Sequence, residues 1–548
     1  MKIRFLALLL LLVGPFGCTK PTDPVDPEKE KETEVDADPV WDVQLGDRDI
    51  QVWGDLVDIR DFRRAGQIYP QYDTLDFAYD VDELSYSQYA VGLRERKGPE
   101  WVRAGKDASI VVASECSSLE SADWQYTGKN FSAGDLTYHI HEYVGAGQTS
   151  GVKIPRPEGT VHSVMVLGGN LSVSGTPEYG DCVIAQTSAV RGEGIIEGPG
   201  IIIMPDGSYL ATCRGADGNT GPSVYGSTDR GKTWSLFCHM NRDVNKVSNF
   251  FSLFLYEGKP YIIGHGIGGM NLYIIRSDDG GHTWTVPTSS SNGVLLTGVV
   301  IHSSQVPTLE SNGRIWRACE IGEDSGTSLP FMMSAEIGSD ILDASNWSFT
   351  KTFTKTKFWH DRYHFNGLLE GNAVAGPDGK IYDLCRTNCN SQTSAYAVRL
   401  VMDGLSKLDF AEEDAVVEMP GGGVKFTVLY DQQTKKYWSL TNPDTDYPKD
   451  GKIMHEGHKL FHGEMRNRLA LISSPDLIHW TVEDNEVLYD KDPFFHGFQY
   501  VDWVFDGDDM IAVIRAGYPE VRGLPARQHD ANKLIFLRVK DFRNRNKS

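Results

Sequence analysis

The sequence has little positive charge for its length. Its 548 residues include 53 Lys and Arg against 75 Asp and Glu, which gives a formal net charge of -22 and an isoelectric point near 5.1. This balance repels phosphate backbones and anionic membrane surfaces, so nucleic acid is excluded as a partner of the whole molecule.

Paired cysteines and long amphipathic helices are also missing. Of eight cysteines, seven follow Cys18 and none forms a CxxC unit, so neither a disulfide framework nor a zinc site is predicted. Cys385 and Cys389 have a spacing that allows a bond in an oxidising compartment, and buried free thiols are the alternative. The 56 Gly, 25 Pro and 23 Tyr, with turn signals throughout, favour an all-β fold.

The only long apolar run is at the N-terminus. Lys2 and Arg4 precede the apolar residues 5–13 and a Gly-Cys pair, a run too short to span a membrane as a helix. The layout resembles a bacterial lipoprotein signal and predicts export, with residues 1–17 as signal peptide and Cys18 as the lipidated residue. Plain secretion is the alternative. Residues 18–39 are mostly Pro, Asp, Glu, Lys and Thr, which predicts a disordered tether.

One octapeptide pattern occurs twice. STDRGKTW at Ser227–Trp234 and SDDGGHTW at Ser277–Trp284 share S-x-D-x-G-x-T-W, and each follows a short apolar run. The aspartate is expected to accept hydrogen bonds from turn amides, the glycine to take a positive φ, and the tryptophan to pack over the next strand. The pattern therefore predicts a turn between two strands.

A larger repeat follows residue 181. Strand–turn–strand units have turns near residues 206, 258, 313, 378, 433 and 507, and each is followed by a further apolar strand. Six such units predict a six-bladed β-propeller over residues 181–543. The last unit supplies three strands, so Asp181–Ser188 is predicted to close the ring. Residues 40–180 lack these features and predict a separate β-rich domain.

The two octapeptides, with a degenerate copy SSPDLIHW at Ser473–Trp480, are Asp-boxes, also called BNR repeats. With six blades, the region from about 181 to 543 resembles the sialidase (neuraminidase) superfamily, over about two thirds of the chain. The resemblance implies a propeller that acts on glycans, with the boxes at the periphery, away from the active site.

The resemblance also implies a set of site residues. Sialidases place a glutamate at the start of blade four and an arginine sixteen residues on, which Glu370 and Arg386 match here. A further arginine of the family lies in blade five, where Arg466 fits and Arg468 is the alternative. Two guanidinium groups at the mouth of the ring would hold a substrate carboxylate or several hydroxyls.

Other positions depart from the family pattern. The arginine at the start of blade one aligns with Glu197, and the tyrosine nucleophile of blade six aligns with Phe498. Tyr500, two residues on, is expected to face the same side of the strand and to replace it. Asp217 is the candidate for the acid/base aspartate, although a loop Asp before Gly is commonly a turn residue.

Histidines and further arginines lie at the same blade ends. His302, His364 and His496 are candidates for acid or base near neutral pH, each with a structural hydrogen-bonded role as the alternative. His360 and His364 are four residues apart, but no HExxH helix surrounds them, so no metal is expected. Two arginines that end second strands have equal expectations of substrate binding and of inter-blade ion pairing: Arg214 and Arg515.

The sequence therefore predicts an exported, exo-acting glycoside hydrolase whose partner is carbohydrate at glycan termini and which uses no cofactor. Contact with a membrane is expected only through a lipid anchor. Two alternatives stay open. One is a polysaccharide lyase that uses a His/Tyr pair on a uronic acid held by Arg386 and Arg466, and the other is a glycan-binding propeller without catalysis.

Overall fold

A computed structural model describes most of the chain: residues 39–61, 86–92, 98–133, 136–160, 163–175, 178–187, 194–248, 250–302, 305–322, 328–354, 365–389, 393–411, 415–448, 454–455, 458–521 and 523–545. The chain divides into the units Met1–Pro39 and Val40–Ser548, and the second holds all the strands below. The predicted signal peptide, Cys18, His360 and His364 lie outside the described residues.

The second unit begins with two facing β-sheets. Their hydrogen-bonded orders are β10-β1-β4-β8 and β2-β3-β9-β5-β7-β6. Alternate apolar side chains of both sheets, such as Val52, Val102, Val112 and Val166, form one buried core, which is the arrangement of a β-sandwich. The strands are β1 (Ile50–Gly54), β2 (Val57–Asp61), β3 (Gln88–Gly92), β4 (Pro99–Ala104), β5 (Val111–Ser114), β6 (Trp124–Ala133), β7 (Leu136–Tyr143), β8 (Val152–Lys153), β9 (Met165–Gly168) and β10 (Leu171–Ser174).

The following strands form the six antiparallel blades of a β-propeller, numbered one to six, of which blades two and three join edge to edge in one continuous sheet, and they confirm the predicted fold class. Blades one to three consist of β12 (Glu197–Ile203), β13 (Tyr209–Arg214), β14 (Pro222–Ser227) and β15 (Ser235–His239); of β16 (Phe251–Tyr256), β17 (Lys259–His265), β18 (Met270–Arg276) and β19 (Val294–His302); and of β20 (Leu309–Ser311), β21 (Arg314–Gly322), β22 (Ser328–Glu336) and β23 (Trp347–Phe349). All the predicted hairpin turns are present.

Blade four consists of β24 (Phe365–Ala375), β25 (Ile381–Cys389), β26 (Tyr396–Asp403) and β27 (Lys407–Phe410), with β28 (Val416–Glu418) beside β26; blade five of β29 (Val428–Asp431), β30 (Lys436–Thr441), β33 (Arg468–Ser474) and β34 (Thr481–Tyr489), with a hairpin of β31 (Met454–His455) and β32 (His458–Lys459) in its loop; and blade six of β35 (Gly497–Asp506), β36 (Asp509–Gly517) and β37 (Lys533–Val539). The described helices are α1 (Arg242–Asn245) and 3-10 turns at Ile267–Gly269, Ala344–Asn346, His462–Glu464 and Phe542–Asn544.

The ring closes where the sequence predicts. The strand β11 (Cys182–Gln186) pairs antiparallel with β37 and completes blade six. Ala185 on β11 packs in an apolar cluster with residues of blades one and six, among them Ile201, Tyr209 and Phe536. The first and last strands of the propeller therefore share one sheet, which leaves no open edge there.

The two octapeptides, called boxes below, form the expected turns between the third and fourth strands of their blades. In the first box Asp229 accepts hydrogen bonds from the Thr233 amide and hydroxyl, Gly231 has φ 87°, and the Trp234 indole N–H donates to the Gly231 carbonyl. The second box repeats this geometry. The polar side chains of both boxes are used in hydrogen bonds within the turn, which stabilise the fold.

The inner strands of blades two, four and six share one irregularity near the ring axis. At matching positions each has a non-glycine residue in the left-handed region: Phe250 (φ 49°), Glu370 (φ 51°) and Tyr500 (φ 54°). In β24 and β35 this residue lies within a shift of strand register, as in a β-bulge. The left-handed conformation costs a non-glycine residue about 1–2 kcal/mol, and such strain concentrates at functional sites.

A hydrogen bond to the next blade follows each of these positions. Two residues further on, a polar side chain accepts from a backbone N–H of the following blade, at 3.0–3.1 Å in each case. The pairs are Ser252 with Val306, Asn372 with Val428, and Asp502 with Ile201. The bonds join blades two to three, four to five and six to one, so the ring has an alternating, pseudo-threefold order.

The sandwich supports one loop of the propeller. The Val173 amide donates to the Val521 carbonyl at 2.7 Å, and the Leu524 amide donates to buried Asp58 at 3.4 Å. Leu56 of the sandwich also joins an apolar cluster with Leu524 and Phe494. The supported segment, residues 518–532, connects β36 to β37 at the end of the propeller where Tyr500 lies.

Two further findings concern the whole described region. In those residues no helix is long and apolar enough to cross a membrane. Cys385 is buried and free, and burial raises the pKa of its thiol well above the usual value. The interpretation as a buried free thiol is therefore confirmed for Cys385, whereas the side chain of Cys389 lies outside the description.

Candidate active site

Glu370 and Arg386 form a buried ion pair at the mouth of the ring. Arg386 is on β25, opposite the residue before Glu370 in the antiparallel register, and its Nη1 donates to Glu370 Oε2 at 2.5 Å. Burial raises the pKa of Glu370, but the charges of Arg386 and His302 outweigh it and hold the pKa below its usual value. Glu370 is therefore an ionised carboxylate, and its buried Oε1 has no hydrogen-bond partner among the described residues.

Tyr500 occupies in blade six the position that Glu370 has in blade four. Gln499 pairs with Arg515 as Leu369 pairs with Arg386, and in both strands the next residue begins the bulge. The ring of Tyr500 lies between two guanidinium groups, with Arg515 Cζ 5.0 Å and Arg466 Cζ 5.7 Å from its centre. These distances correspond to cation–π contacts.

The structure places Phe498 in the apolar core. Its side chain is fully buried in the apolar cluster of blades five and six, with its ring centre 4.8 Å from that of Tyr179. The register shift between Gln499 and Asp502 breaks the alternation of the strand. Tyr500 consequently faces the arginines, whereas Phe498 does not, and the expectation that both share one side fails for this reason.

Arg466 and Arg515 have no carboxylate partner among the described residues. Arg466 donates to the Gly463 carbonyl at 3.2 Å and to the Gln499 side chain, and Arg515 donates to the His529 carbonyl at 2.6 Å. Burial, together with the charges of Arg386 and Arg515, lowers the pKa of Arg466 to about 10. Neither guanidinium has a hydrogen-bonded carboxylate in the described chain, although the more distant charge of Glu370 raises the pKa of Arg466. Buried guanidinium groups of this kind attract anions.

The neighbouring Arg468 is bound elsewhere. Its guanidinium contacts Asp446 at 2.9 Å and Glu486 at 2.9 Å and lies 4.2 Å from the ring centre of Tyr489. These contacts neutralise its charge, so of the two predicted alternatives Arg466 is the one at the mouth of the ring.

Glu197 and Arg214 pair with each other. They are directly opposite in the register of β12 and β13, and the Arg214 guanidinium donates to the Glu197 carboxylate. In strand register Glu197 corresponds to Gln499, the residue before Tyr500. The blade-one residue that corresponds to Tyr500 itself is Gly198, which has φ 64°. Glu197 and Arg214 thus form an ion pair within blade one. Arg515, and not Arg214, lies with Arg466 at the Tyr500 ring.

Asp217 is an exposed turn residue. It has φ 49°, and its backbone amide donates to the Gln186 carbonyl at 3.1 Å. Among the described residues no contact joins its side chain to Glu370, Tyr500 or the arginines. The turn interpretation fits this position better than the acid/base role.

His302 lies beside Glu370. Its Nδ1 is 3.3 Å from Glu320 Oε2, and its ring centre is 4.8 Å from that of Phe250. Burial lowers the pKa of His302, but the hydrogen bond to Glu320 and the charges of Glu320 and Glu370 outweigh it, so the pKa is raised. The charged form of His302 is therefore favoured up to a higher pH than in a free histidine.

The structure places His496 against the sandwich. His496 is buried, with Nδ1 3.5 Å from Asp490 and 3.6 Å from Asp492, and it lines a cavity of about 280 Å³ against the sandwich residue Trp53. No contact within the described ranges joins it to Glu370 or Tyr500. His496 was predicted at the active site because it lies at a strand start. It precedes the bulge of β35, and its side chain faces the sandwich instead.

Two residues that sequence reasoning passed over lie at or below the site. Lys425 is buried in blade five at the position that Glu370 has in blade four, and its Nζ donates to the Val501 carbonyl at 2.7 Å. Burial lowers its pKa to about 8. His529, on the loop supported by the sandwich, accepts the bond from Arg515 through its carbonyl. Alignment of the inner hairpins was the available signal for Lys425, whereas the His529-Asp530 pair before the last strand was a weaker signal than the other histidines.

Metal ligands are not gathered at this site. In the part of the chain that the structure describes, no group of three or more His, Cys, Asp and Glu is arranged to hold a metal ion. His364, the remaining predicted catalytic candidate, lies outside that part.

No known family model matches the chain. No curated protein matches it either. Solved structures similar to it include the α-L-arabinofuranosidase Arb93A of Fusarium graminearum in complex with an iminosugar inhibitor, at 12% identity and TM-score 0.46, covering 67% of this chain and 99% of that chain. The Hadza microbial sialidase Hz136 is 11% identical at TM-score 0.42, covering 91% and 94%. The Trypanosoma rangeli sialidase in complex with the inhibitor DANA is 12% identical at TM-score 0.41, covering 66% and 58%.

Proposed function

We propose that this protein is a glycoside hydrolase that removes acidic sugars from the termini of glycans. The observation that carries the proposal is the arrangement around Tyr500, a tyrosine held between Arg466 and Arg515 at the mouth of a ring that also holds the Glu370–Arg386 pair. It joins a nucleophile, a carboxylate base and an anion site in one cluster.

The anion site defines the class of sugar. Arg466 and Arg515 are buried and lack carboxylate partners in the described chain, so each retains a charge that a bound anion would balance. A guanidinium binds a carboxylate through two parallel hydrogen bonds, and a sugar carboxylate is therefore the group that fits. Arg386 is already bound to Glu370 and serves chiefly to keep that carboxylate ionised.

Tyr500 and Glu370 supply the chemistry. The Tyr500 oxygen attacks the anomeric carbon while Glu370 takes its proton, and water then releases the sugar from the tyrosine with the proton returned. The protonated phenol of Tyr500 carries no charge before the reaction, so it approaches a substrate carboxylate without the repulsion that a carboxylate nucleophile would meet.

The test is a panel of glycans that end in N-acetylneuraminic acid, D-glucuronic acid or L-rhamnose, with the products analysed by mass and ultraviolet absorbance. We expect release of an acidic monosaccharide without ultraviolet absorbance, and a loss of at least 10³-fold in kcat/KM for Glu370→Gln and Tyr500→Phe. Ultraviolet-absorbing products would indicate a lyase, and binding without turnover would indicate a glycan-binding protein. Release of rhamnose alone would contradict the acidic class.

We also infer that the protein is exported and anchored through a lipid on Cys18 in the bacterial envelope. The basic start, the apolar run 5–13 and the Gly-Cys pair support this location. Mass spectrometry of the mature N-terminus tests it, since plain secretion would leave an unmodified first residue.

A further inference from the structure

A histidine–aspartate pair lies on the loop that the sandwich supports. His529 Nδ1 is 2.9 Å from Asp530 Oδ1, and Asp530 Oδ2 accepts from Arg527 Nε at 3.1 Å. The carboxylate is thus held on both sides and fixes the orientation of the imidazole ring. A bond at Nδ1 leaves Nε2 as the nitrogen that can exchange a proton.

The backbone of His529 is tied to the groups around Tyr500. Its carbonyl accepts from Arg515 Nη2 at 2.6 Å and from Gln499 Nε2 at 3.3 Å. Gln499 precedes Tyr500 in β35 and also receives the Arg466 guanidinium. Arg515, which contacts the Tyr500 ring, and Gln499, which precedes Tyr500, therefore also fix the position of His529.

The side chain of His529 is more exposed to solvent than those of Arg466 and Arg515. The His529 side chain is 36% exposed, whereas Arg466 and Arg515 are buried. A substrate carboxylate on the arginines would thus leave the remainder of the glycan toward solvent, on the side where the imidazole lies. The two other candidates fit less well, since Asp217 makes no contact with the cluster in the described chain and His302 is bonded to Glu320.

We propose that His529, oriented by Asp530, is the residue that transfers the proton to and from the leaving group in the hydrolysis, a role that rests on the function proposed above. In the first half, His529 Nε2–H gives its proton to the glycosidic oxygen as the bond from that oxygen to the anomeric carbon breaks. In the second half, neutral Nε2 takes a proton from the water that attacks the same carbon. The imidazole is regenerated and one water is consumed.

Arg466 and Arg515 make the pKa of His529 depend on whether a substrate anion is bound. The bond to Asp530 raises the pKa of His529, but burial and the charges of Arg466 and Arg515 outweigh it and lower the pKa to about 4. The charged groups that face the ring are these two arginines from neighbouring elements, and Asp530 with its partner Arg527 from the same loop. An anion on the arginines offsets their charge, so substrate binding itself raises the pKa and charges the acid.

The test compares leaving groups. The 4-nitrophenyl and methyl glycosides of N-acetylneuraminic acid and D-glucuronic acid differ in whether departure needs a proton. For His529→Asn we expect kcat/KM on the methyl glycoside to fall about 10²–10⁴-fold, with less than about a tenfold loss on the nitrophenyl glycoside. Equal losses on both, or no loss, would overturn the proposal.

A matched control is present in the third Asp-box. His479 also bonds an aspartate, Asp476, through Nδ1 at 2.7 Å and is exposed at the periphery, so His479→Asn should behave as the wild type on both glycosides. If Glu370→Gln and Tyr500→Phe abolish turnover while His529→Asn does not, only the role of His529 fails. If all three variants keep full activity, the proposed function fails with it.

A titration without turnover completes the test. The imidazole signals of His529 in ¹⁵N-labelled protein are identified by their loss in His529→Asn, and their pKa is measured with and without saturating N-acetylneuraminic acid or D-glucuronic acid. We expect the pKa to rise with at least one of these acids. An unchanged pKa with both contradicts the coupling, even where no glycoside is cleaved.

Discussion

At the scale of single residues, two arginines two positions apart have opposite roles. Arg466 is a buried cation without a carboxylate partner in the described chain, whereas Arg468 contacts Asp446 and Glu486. Only the latter has a charge partner that stabilises the fold. A binding site of this kind is kept at a cost to stability.

We therefore expect Arg466→Met to leave the free energy of unfolding unchanged or to raise it, because repulsion from Arg386 and Arg515 is removed. We expect the same substitution to abolish affinity for an acidic sugar. Arg468→Met should lower the free energy of unfolding by about 1 kcal/mol, since its carboxylate partners are partly exposed, and should retain affinity. Denaturant unfolding and calorimetric titration measure both. A less stable Arg466→Met would show that its charge is compensated.

His302 gives a pH dependence at the same scale. Burial opposes its protonation, but Glu320 and Glu370 leave its folded pKa raised, so the charged ring stabilises the protein. That stabilisation is fully present below the unfolded pKa of about 6.5 and is lost as pH rises through the folded pKa. The stability difference between wild type and His302→Asn should thus shrink from pH 5.5 to pH 8.5 in urea unfolding. A pH-independent difference would contradict the pairing with Glu320.

At the scale of elements, we expect the short strand β11 to contribute strongly to stability because it closes the ring. Ala185 packs between blades one and six, whereas Val183 on the same strand is 41% exposed. We expect Ala185→Asp to lower the free energy of unfolding by about 3 kcal/mol and to promote association through the opened sheet edges. Val183→Asp should change stability by less than about 0.5 kcal/mol. Light scattering and denaturant unfolding check both.

The loop 518–532 tests what the sandwich does for the active site. Asp58 accepts the Leu524 amide, so Asp58→Ala should loosen this loop and reduce kcat about tenfold through the displaced His529. Hydrogen exchange should rise in residues 518–532 and stay unchanged in β24. The control is Lys106→Ala, which removes an exposed sandwich ion pair with Asp47. Unchanged exchange in the loop would show that the sandwich does not hold it.

The sequence predicted the secondary-structure elements better than it predicted the site residues. Turn chemistry is local, so hairpins, boxes and the closing strand follow from a few adjacent residues. Glu370 and Arg386 are joined by one hairpin, and their pairing needs only its register. The expectation that Phe498 and Tyr500 face the same side failed because a bulge interrupts strand alternation without a composition signal. His529 depends on contacts with Asp58 and Val173, hundreds of residues away, which no local pattern contains.

At the scale of the whole molecule, a small positive cluster lies in a chain with net charge -22. The overall field repels polyanionic glycans, while the arginines attract one carboxylate at short range. The screening length falls from about 30 Å at 0.01 M salt to about 8 Å at 0.15 M, so only the long-range repulsion is removed. We expect kcat/KM on a long acidic glycan to rise over this range and that on a monosaccharide glycoside to stay level or fall. Parallel salt dependences would contradict this separation.

The alternating order of the ring leaves one position unused. Phe250 has the same left-handed backbone in blade two as Glu370 and Tyr500 have in blades four and six, and its ring lies against His302. The backbone that presents a base in one blade and a nucleophile in another therefore presents an inert aromatic ring in the third. A reactive side chain substituted at residue 250 would be displayed by a backbone conformation that is already present.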